Sequence, residues 1–178
     1  MPKVSVLIPM YNAQDTIERA VLSANQLDLG GVEVIIVDDA SRDQSLQVVD
    51  ELNLECVRII SAGSNRGPSF CRNVGLELAV GEWIAVLDSD DWFSKGRLSK
   101  LIGIAETNGL DLIADDQWLW GGSPIRPMRR RSETLSILRQ TDKPYNVNIK
   151  TLLENVGLGI TQPIFRRSFL EKHNIRYR

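Results

Sequence analysis

Val32-Glu33-Val34-Ile35-Ile36-Val37-Asp38-Asp39 is the stretch on which the fold of this chain turns. A short β-branched run that ends abruptly in acids reads as a buried strand of a parallel sheet. Trp83-Ile84-Ala85-Val86-Leu87 has the same character and runs into Asp88-Ser89-Asp90-Asp91. Ligands of open α/β sheets bind beyond the carboxyl ends of the strands, so both acidic clusters are expected on one rim. Negative charge at that density is costly unless a cation or a hydrogen-bonding ligand offsets it. The pattern points to a divalent ion holding a polyphosphate.

Outward from these runs, strands alternate with helical patterns. Val4 to Ile8 reads as a first strand stopped by Pro9, with Asn12 or Asp15 capping the next helix. Ile17, Ala20, Val21, Ala24 and Leu27 give that helix one apolar face. Ser41 followed by Gln44 resembles a capping box ahead of a helix through Leu52. Val57 to Ile60 is a third strand, and Gly63, Gly67 and Pro68 mark a loop. A helix from about Ser69 to Leu78 turns Phe70, Val74 and Leu78 inward, and Gly81 closes it. Leu98, Leu101, Ile102 and Ala105 place another helix after the acids. Leu112 to Ala114 is a fifth strand, ending in Asp115-Asp116. The expected architecture is an α/β, Rossmann-like, mostly parallel sheet with helices on both faces. Beyond Trp120 the alternation fails. Gly121-Gly122-Ser123-Pro124 opens an irregular Arg-rich stretch, followed by a helix from Ile149 to Asn155, a short strand around Thr161 to Phe165 and a helix from Ser168 to His173.

The 178 residues suffice for one domain with a sizeable core. No apolar stretch approaches the ~18 residues that span a bilayer. Met1-Pro2-Lys3-Val4 enters a strand at once and reads as lacking a signal peptide. Cys56 and Cys71 are the only cysteines, which suits free thiols in a reducing, cytoplasmic compartment. The net charge of −2 hides an asymmetry: 9 Lys and Arg against 19 Asp and Glu up to Asp116, then 12 against 4. Acidic metal chemistry in the first part and anion attraction in the second fit this split, as does chance distribution over solvated faces. Arg129-Arg130-Arg131 is short and lacks interleaved aromatics, which speaks against nucleic acid.

Asp88-Ser89-Asp90-Asp91 presents carboxylates on one loop, as Mg²⁺ or Mn²⁺ requires; one of these acids could instead cap the following helix. Asp38-Asp39 with Ser41 either hydrogen-bonds a nucleotide base or ribose or forms a strand-to-helix turn. Arg66 or Arg72, flanking the Pro68 turn, could face a phosphate or base, and Arg72 could equally form a surface ion pair. Tyr11 on the same rim offers a ring to stack on a base. Trp92-Phe93 packs under the loop or lines a sugar pocket. Trp118 and Trp120 could form an acceptor platform, and His173 reads as a surface residue. No Ser–His or Cys–His arrangement is readable. No phosphate loop and no Gly-x-Gly-x-x-Gly follows the first strand, against an ordinary NTPase or a dinucleotide-dependent dehydrogenase.

These residues, in this order, resemble the family 2 glycosyltransferases, inverting enzymes of the GT-A fold. The matching segments are Val4 to Asn12, Val37-Asp38-Asp39-Ala40-Ser41, Asn65-Arg66-Gly67, Arg72-Asn73-Val74-Gly75 and Leu87 to Asp91. The likeness is greatest to bacterial exopolysaccharide enzymes such as the glucosyltransferases of succinoglycan synthesis. It implies a nucleotide-sugar half over residues 1–116 and a partial acceptor half over 117–178. Pro9, Tyr11 and Asp39 would hold the base, with Arg72 near the base or phosphates. Asp88 would contact ribose or a metal-bound water, Asp90 would ligate Mn²⁺ or Mg²⁺, and Asp91 would support the loop or the donor sugar. The implied partners are a nucleotide sugar, with uracil favoured as base, and a saccharide or lipid-linked acceptor. For the latter, the basic second half would suit peripheral contact with the inner membrane face.

The family's acidic pair for the general base has no counterpart in Thr161 to Leu170. Asp115 and Asp116 match an earlier position, and Asp142 and Glu154 lack supporting context. The base is therefore expected beyond Arg178, in a truncated chain. A nucleotidyltransferase would also place metal and nucleotide at a strand rim, but Pro9-Met10-Tyr11-Asn12 lacks the Gly-rich basic loop. A catalytically incomplete donor-binding fragment is the non-enzyme alternative.

Overall fold

A computed structural model describes residues 1–25, 30–115, 118–121, 126–130 and 163–178, the strands within 118–130 by their backbone alone. The elements are β1 (Val4–Met10), α1 (Ile17–Asn25), β2 (Val32–Asp38), α2 (Ser45–Glu51), β3 (Val57–Ser61), α3 (Pro68–Leu78), β4 (Trp83–Val86), α4 (Arg97–Thr107), β5 (Leu112–Ile113), β6 (Trp118–Gly121), β7 (Arg126–Arg130), β8 (Ile164–Arg166) and α5 (Arg167–Lys172). They fall into two compact units, residues 1–113 with 164–178, and residues 114–163. Within the second unit, β6 and β7 form an antiparallel pair.

The first unit is built on a sheet of order β3-β2-β1-β4-β8-β5. Neighbours from β3 to β4 are parallel, and β8 runs antiparallel between β4 and β5. The apolar runs are buried on both sides because each strand alternates between two cores. Val6, Ile8, Val34, Ile36, Trp83 and Ala85 face α1, α2 and α4, where Ile17, Val21, Val49, Leu98 and Ile102 meet them. Leu7, Ile35, Val37, Ile84 and Val86 face the other way, toward Cys71 and Leu76 of α3 and Leu170 of α5. Each fully buried aliphatic side chain contributes about 1.5–3 kcal/mol relative to exposure. From β1 the chain winds outward through β2 to β3 and then returns to place β4 on β1's opposite side. The switch point between β1 and β4 is where open α/β sheets hold ligands.

Several local expectations are corrected. Pro9 does not stop β1; the strand continues to Met10 and Pro9 pairs with Val37. Leu7 faces β4, since its carbonyl accepts from the Leu87 N–H, so Pro9 faces that side too. The β4 register ends at Leu7↔Val86, and the N–H that proline lacks falls where no ladder partner is needed. Asn12 is not a helix cap. It adopts φ 48° and ties two loops together, its N–H donating to Ser41 Oγ and its Oδ1 accepting from the Arg42 N–H. The Ser41–Gln44 box does not form either. Asp43 Oδ1 accepts from the Ser45 N–H at 3.0 Å and does that work one step later. In α3 the deeply buried positions are Cys71, Arg72, Gly75 and Leu76, while Phe70, Val74 and Leu78 pack only partly buried. Residues 164–178, grouped by sequence with the second half, complete the first unit instead. The 149–155 helix lies outside the described residues, as do Leu27, Asp116, Asp142, Glu154, Thr161 and Gln162 and the side chains of Trp118 and Trp120. Among the described residues no helix is long and apolar enough to cross a membrane.

Candidate functional site

Both acidic clusters emerge at the same end of the sheet because β2 and β4 are each parallel to β1. They share one open cleft of about 420 Å³, whose lining includes Pro9, Tyr11, Asp39, Arg72, Asp88 and Asp90. Six of the seven site residues expected from sequence are therefore brought together. Asp91 sits on the same turn but is not part of this lining.

Asp39 is 4% exposed. Its Oδ1 accepts from the Arg66 N–H at 2.7 Å and its Oδ2 from the Gly67 N–H at 2.8 Å. The carboxylate thus stitches the end of β2 to the turn before α3, and the residue also lines the cleft. Gly67 adopts φ 88°, a conformation that favours glycine, as it presents its N–H to Asp39. Asp38 is also buried and accepts from the Ser41 N–H at 3.2 Å. Cys71 borders the same cleft. Burial, and then the negative charge of Asp39, push its thiol up to about 12, so it is inert as a nucleophile at neutral pH.

Arg72 does not form the surface ion pair considered from sequence. It is 5% exposed, and its Nη2 donates to Asp88 Oδ1 at 2.6 Å. Its Nε is buried and has no hydrogen-bond partner among the described residues. A guanidinium at the lining of the cleft suits an anion there. Arg66, the other candidate, stacks on Phe70 with its guanidinium carbon 3.6 Å from the ring centroid.

The acidic turn is held from behind by α1. Asp91 N–H donates to the Asp88 carbonyl at 3.0 Å, closing the turn. Arg19 Nη2 donates to the Asp90 carbonyl at 3.0 Å while its guanidinium stacks 3.8 Å over the Trp92 ring. Ser23 Oγ accepts from the Phe93 N–H at 3.0 Å. A second hollow of about 380 Å³ lies among Arg19, Leu22, Trp92 and Phe93. Phe93 is buried in the core, as one of the two sequence readings had it. The Asp91 carboxyl is held above the usual carboxylate range, first by loss of surrounding water and then by the charges of Asp90 and Asp88, with Arg19 opposing.

No group of three or more Asp, Glu, His or Cys among the described residues could cage a metal ion unaided. A divalent ion bound beside a polyphosphate needs less, one or two carboxylates with phosphate oxygens and water filling its shell. Asp90, exposed at the cleft, fits that lesser requirement.

Sequence reading missed Arg19 and Tyr177. Arg19 looked like an ordinary polar position on an amphipathic helix. Tyr177 reaches the site from the far end of the chain, its ring beside Arg72. His173 is exposed, its ring 4.7 Å from that of Phe169.

The glycosyl transferase family 2 profile matches residues 5–173. The chain belongs to glycosyl transferase family 2. Among its relatives in that family, the succinoglycan biosynthesis protein ExoO of Rhizobium meliloti is 36% identical across 99% of this chain and 51% of its own length. The UDP-Glc:alpha-D-GlcNAc-diphosphoundecaprenol beta-1,3-glucosyltransferase WfaP of Escherichia coli is 35% identical, over 60% of this chain and 43% of its own. The crystal structure of S. aureus TarS 1–349 superposes with a TM-score of 0.78 at 28% identity, covering 99% of this chain and 50% of that one. TarS 1–349 in complex with UDP matches at TM-score 0.74 and 25% identity, over 99% of this chain and 50% of that one. The family 2 chain described here therefore has the GT-A fold. It spans about half the length of the curated relatives it matches.

Proposed function

We propose that the protein transfers a sugar from a nucleotide-sugar donor, a UDP-sugar, to a saccharide or lipid-linked acceptor with inversion, in polysaccharide biosynthesis. The observation that carries this reading is the shared cleft. Asp39, Arg72 and Asp90 arrive from three different elements and border one hollow at the sheet's switch point. The UDP bound to TarS and the UDP-Glc and lipid-diphosphate in the name of WfaP support the choice of donor and acceptor class.

In this reading residues 1–116 carry the donor. Tyr11, 45% exposed at the end of β1, stacks on the base, with Pro9 shaping the floor. Asp39 accepts from the base's imide N–H with a lone pair its loop bonds leave open. Arg72 brings its positive charge near the base or diphosphate while Asp88 holds the guanidinium and meets the ribose or a metal-bound water. Asp90, supported by Asp91, would hold Mn²⁺ or Mg²⁺, which neutralises charge on the departing nucleoside diphosphate. Displacement occurs in one step at the anomeric carbon, as an acceptor hydroxyl gives its proton to a carboxylate base. No described residue is assigned to that base.

Calorimetric titration of UDP with and without Mn²⁺ tests the reading. Wild type should bind UDP more tightly with Mn²⁺, and Asp90→Ala should lose that gain. Equal Mn²⁺ dependence in the two proteins would remove Asp90 from the metal site.

A further inference from the structure

After α5 the chain turns back, and residues 175–178 run along α3. Asn73 grips this return at a single residue. Its Nδ2 donates to the Tyr177 carbonyl at 2.9 Å, and its Oδ1 accepts from the Tyr177 N–H at 2.9 Å. One helical turn earlier, Ser69 Oγ donates to the Arg178 carbonyl at 2.7 Å. An asparagine amide here satisfies both main-chain groups of Tyr177, as a neighbouring strand would. The fixed backbone delivers the Tyr177 ring to Arg72, whose guanidinium carbon lies 5.8 Å from the ring centroid. Arg72 directly precedes Asn73 on α3, so one stretch of helix both carries the cation and anchors the ring beside it.

We propose that Asn73 and Tyr177 are positioning residues that clamp the Arg72 guanidinium in its pairing with Asp88 at the rim of the cleft. An arginine side chain has many rotamers, and only those that reach Asp88 serve the site. An aromatic face beside the guanidinium removes competing rotamers and attracts the cation through the ring quadrupole. The ring also keeps water from one side of the Arg72–Asp88 bond, which strengthens that bond. Burial pushes the Tyr177 hydroxyl up to about 12, with Asp88 adding to the shift and Arg72 opposing it, so the ring stays neutral at working pH. The contact joins residues 104 positions apart and ties the carboxyl end of the first unit to its ligand rim.

The consequence for nucleotide rests on the proposed donor reading; the clamp itself does not. Tyr177→Leu keeps the backbone grip and an apolar side chain but removes the ring face. Asn73→Ala removes the grip. Tyr177→Phe keeps the ring and serves as the conservative rescue. Hydrogen exchange without ligand should show faster exchange across the Asp88–Asp91 turn in Tyr177→Leu and Asn73→Ala, and wild-type exchange in Tyr177→Phe. UDP affinity by calorimetry should fall roughly fivefold in the first two and be retained in Tyr177→Phe. Unchanged exchange in Tyr177→Leu, or an equal effect from Tyr177→Phe, overturns the clamp. If the exchange pattern appears but wild type does not bind UDP, the clamp stands and the donor reading falls.

Discussion

Asp39→Asn changes one oxygen to an amide nitrogen and leaves the shape of the side chain intact. In the native site both carboxylate oxygens accept from main-chain N–H groups, Arg66 at 2.7 Å and Gly67 at 2.8 Å. Asparagine has one acceptor oxygen. In either orientation of its amide, one of those N–H groups must face an NH₂ in a place that is nearly closed to water. A hydrogen bond to a charged acceptor is worth about 1.5–3 kcal/mol, and an orphaned buried donor costs about 1–3 kcal/mol. The two figures describe the same lost bond, so the expected destabilisation is about 2–3 kcal/mol. With a urea dependence of about 1–3 kcal/mol per molar, the unfolding midpoint should drop by roughly 1 M. Exchange of the Arg66 and Gly67 amides should accelerate more than exchange in the α1 core. A midpoint equal to wild type, with those two amides as protected as before, would refute Asp39 as the tie between β2 and the loop. It would leave the carboxylate with a ligand role alone.

Gly81→Ala should destabilise by about 2–3 kcal/mol in urea unfolding, since the overpacking cannot be relieved by side-chain movement: the new Cβ would stand 2.5 Å from the Ser5 backbone nitrogen and 2.7 Å from the Val4 carbonyl carbon. Lys3 bridges Glu82 and Glu106, and both groups of the Lys3–Glu82 pair are partly exposed, so Lys3→Met should cost at most about 1 kcal/mol at neutral pH. Its hydrogen bond to Lys3 holds the Glu82 carboxyl below the usual range, and the bonds to Glu106 and Glu82 hold the Lys3 ammonium above its own. The stabilisation is therefore present between the two ordinary pKa values and is lost as pH falls through the depressed Glu82 range or climbs through the raised Lys3 range; thermal melts of both proteins across pH should converge at either extreme. Cys71, 1% exposed and with its thiol pushed up to about 12, should resist iodoacetamide at about pH 8 in the folded protein and react once urea unfolds it, as peptide mass spectrometry would show.

The rim was legible because its chemistry is written in contiguous letters. An apolar run that ends in acids fixes a buried parallel strand and the charge at its tip, and two such runs in one sheet must share an edge. Local boundaries were less legible where a rule depends on what lies alongside. Pro9 reads as a stop, yet its missing N–H costs nothing beside a strand that has already ended. Ser41 and Gln44 have the spacing of a capping box, but Asp43 is better placed for the Ser45 N–H and leaves Ser41 free to bind Asn12. Arg72 was legible as a candidate for a phosphate or base, but its burial and its pairing with Asp88 were not, because the two lie on different elements. The Tyr177 contact was beyond reach, because no periodicity links residues that far apart. The strand Ile164–Arg166 overlaps the one read around Thr161 to Phe165, but its antiparallel insertion was hidden, since nothing in so short a run fixes direction.

That insertion has a consequence during synthesis. Trp83–Val86 pairs with β1 on one side and with Ile164–Arg166 on the other, and these last residues follow the entire 114–163 unit. A nascent chain carries an apolar strand with one open flank until they emerge, a delay on the order of several seconds at ordinary translation rates. Such a flank templates strand addition from any neighbouring chain. Chains ending before Ile164 should accordingly self-associate more readily than chains that include Ile164–Arg166.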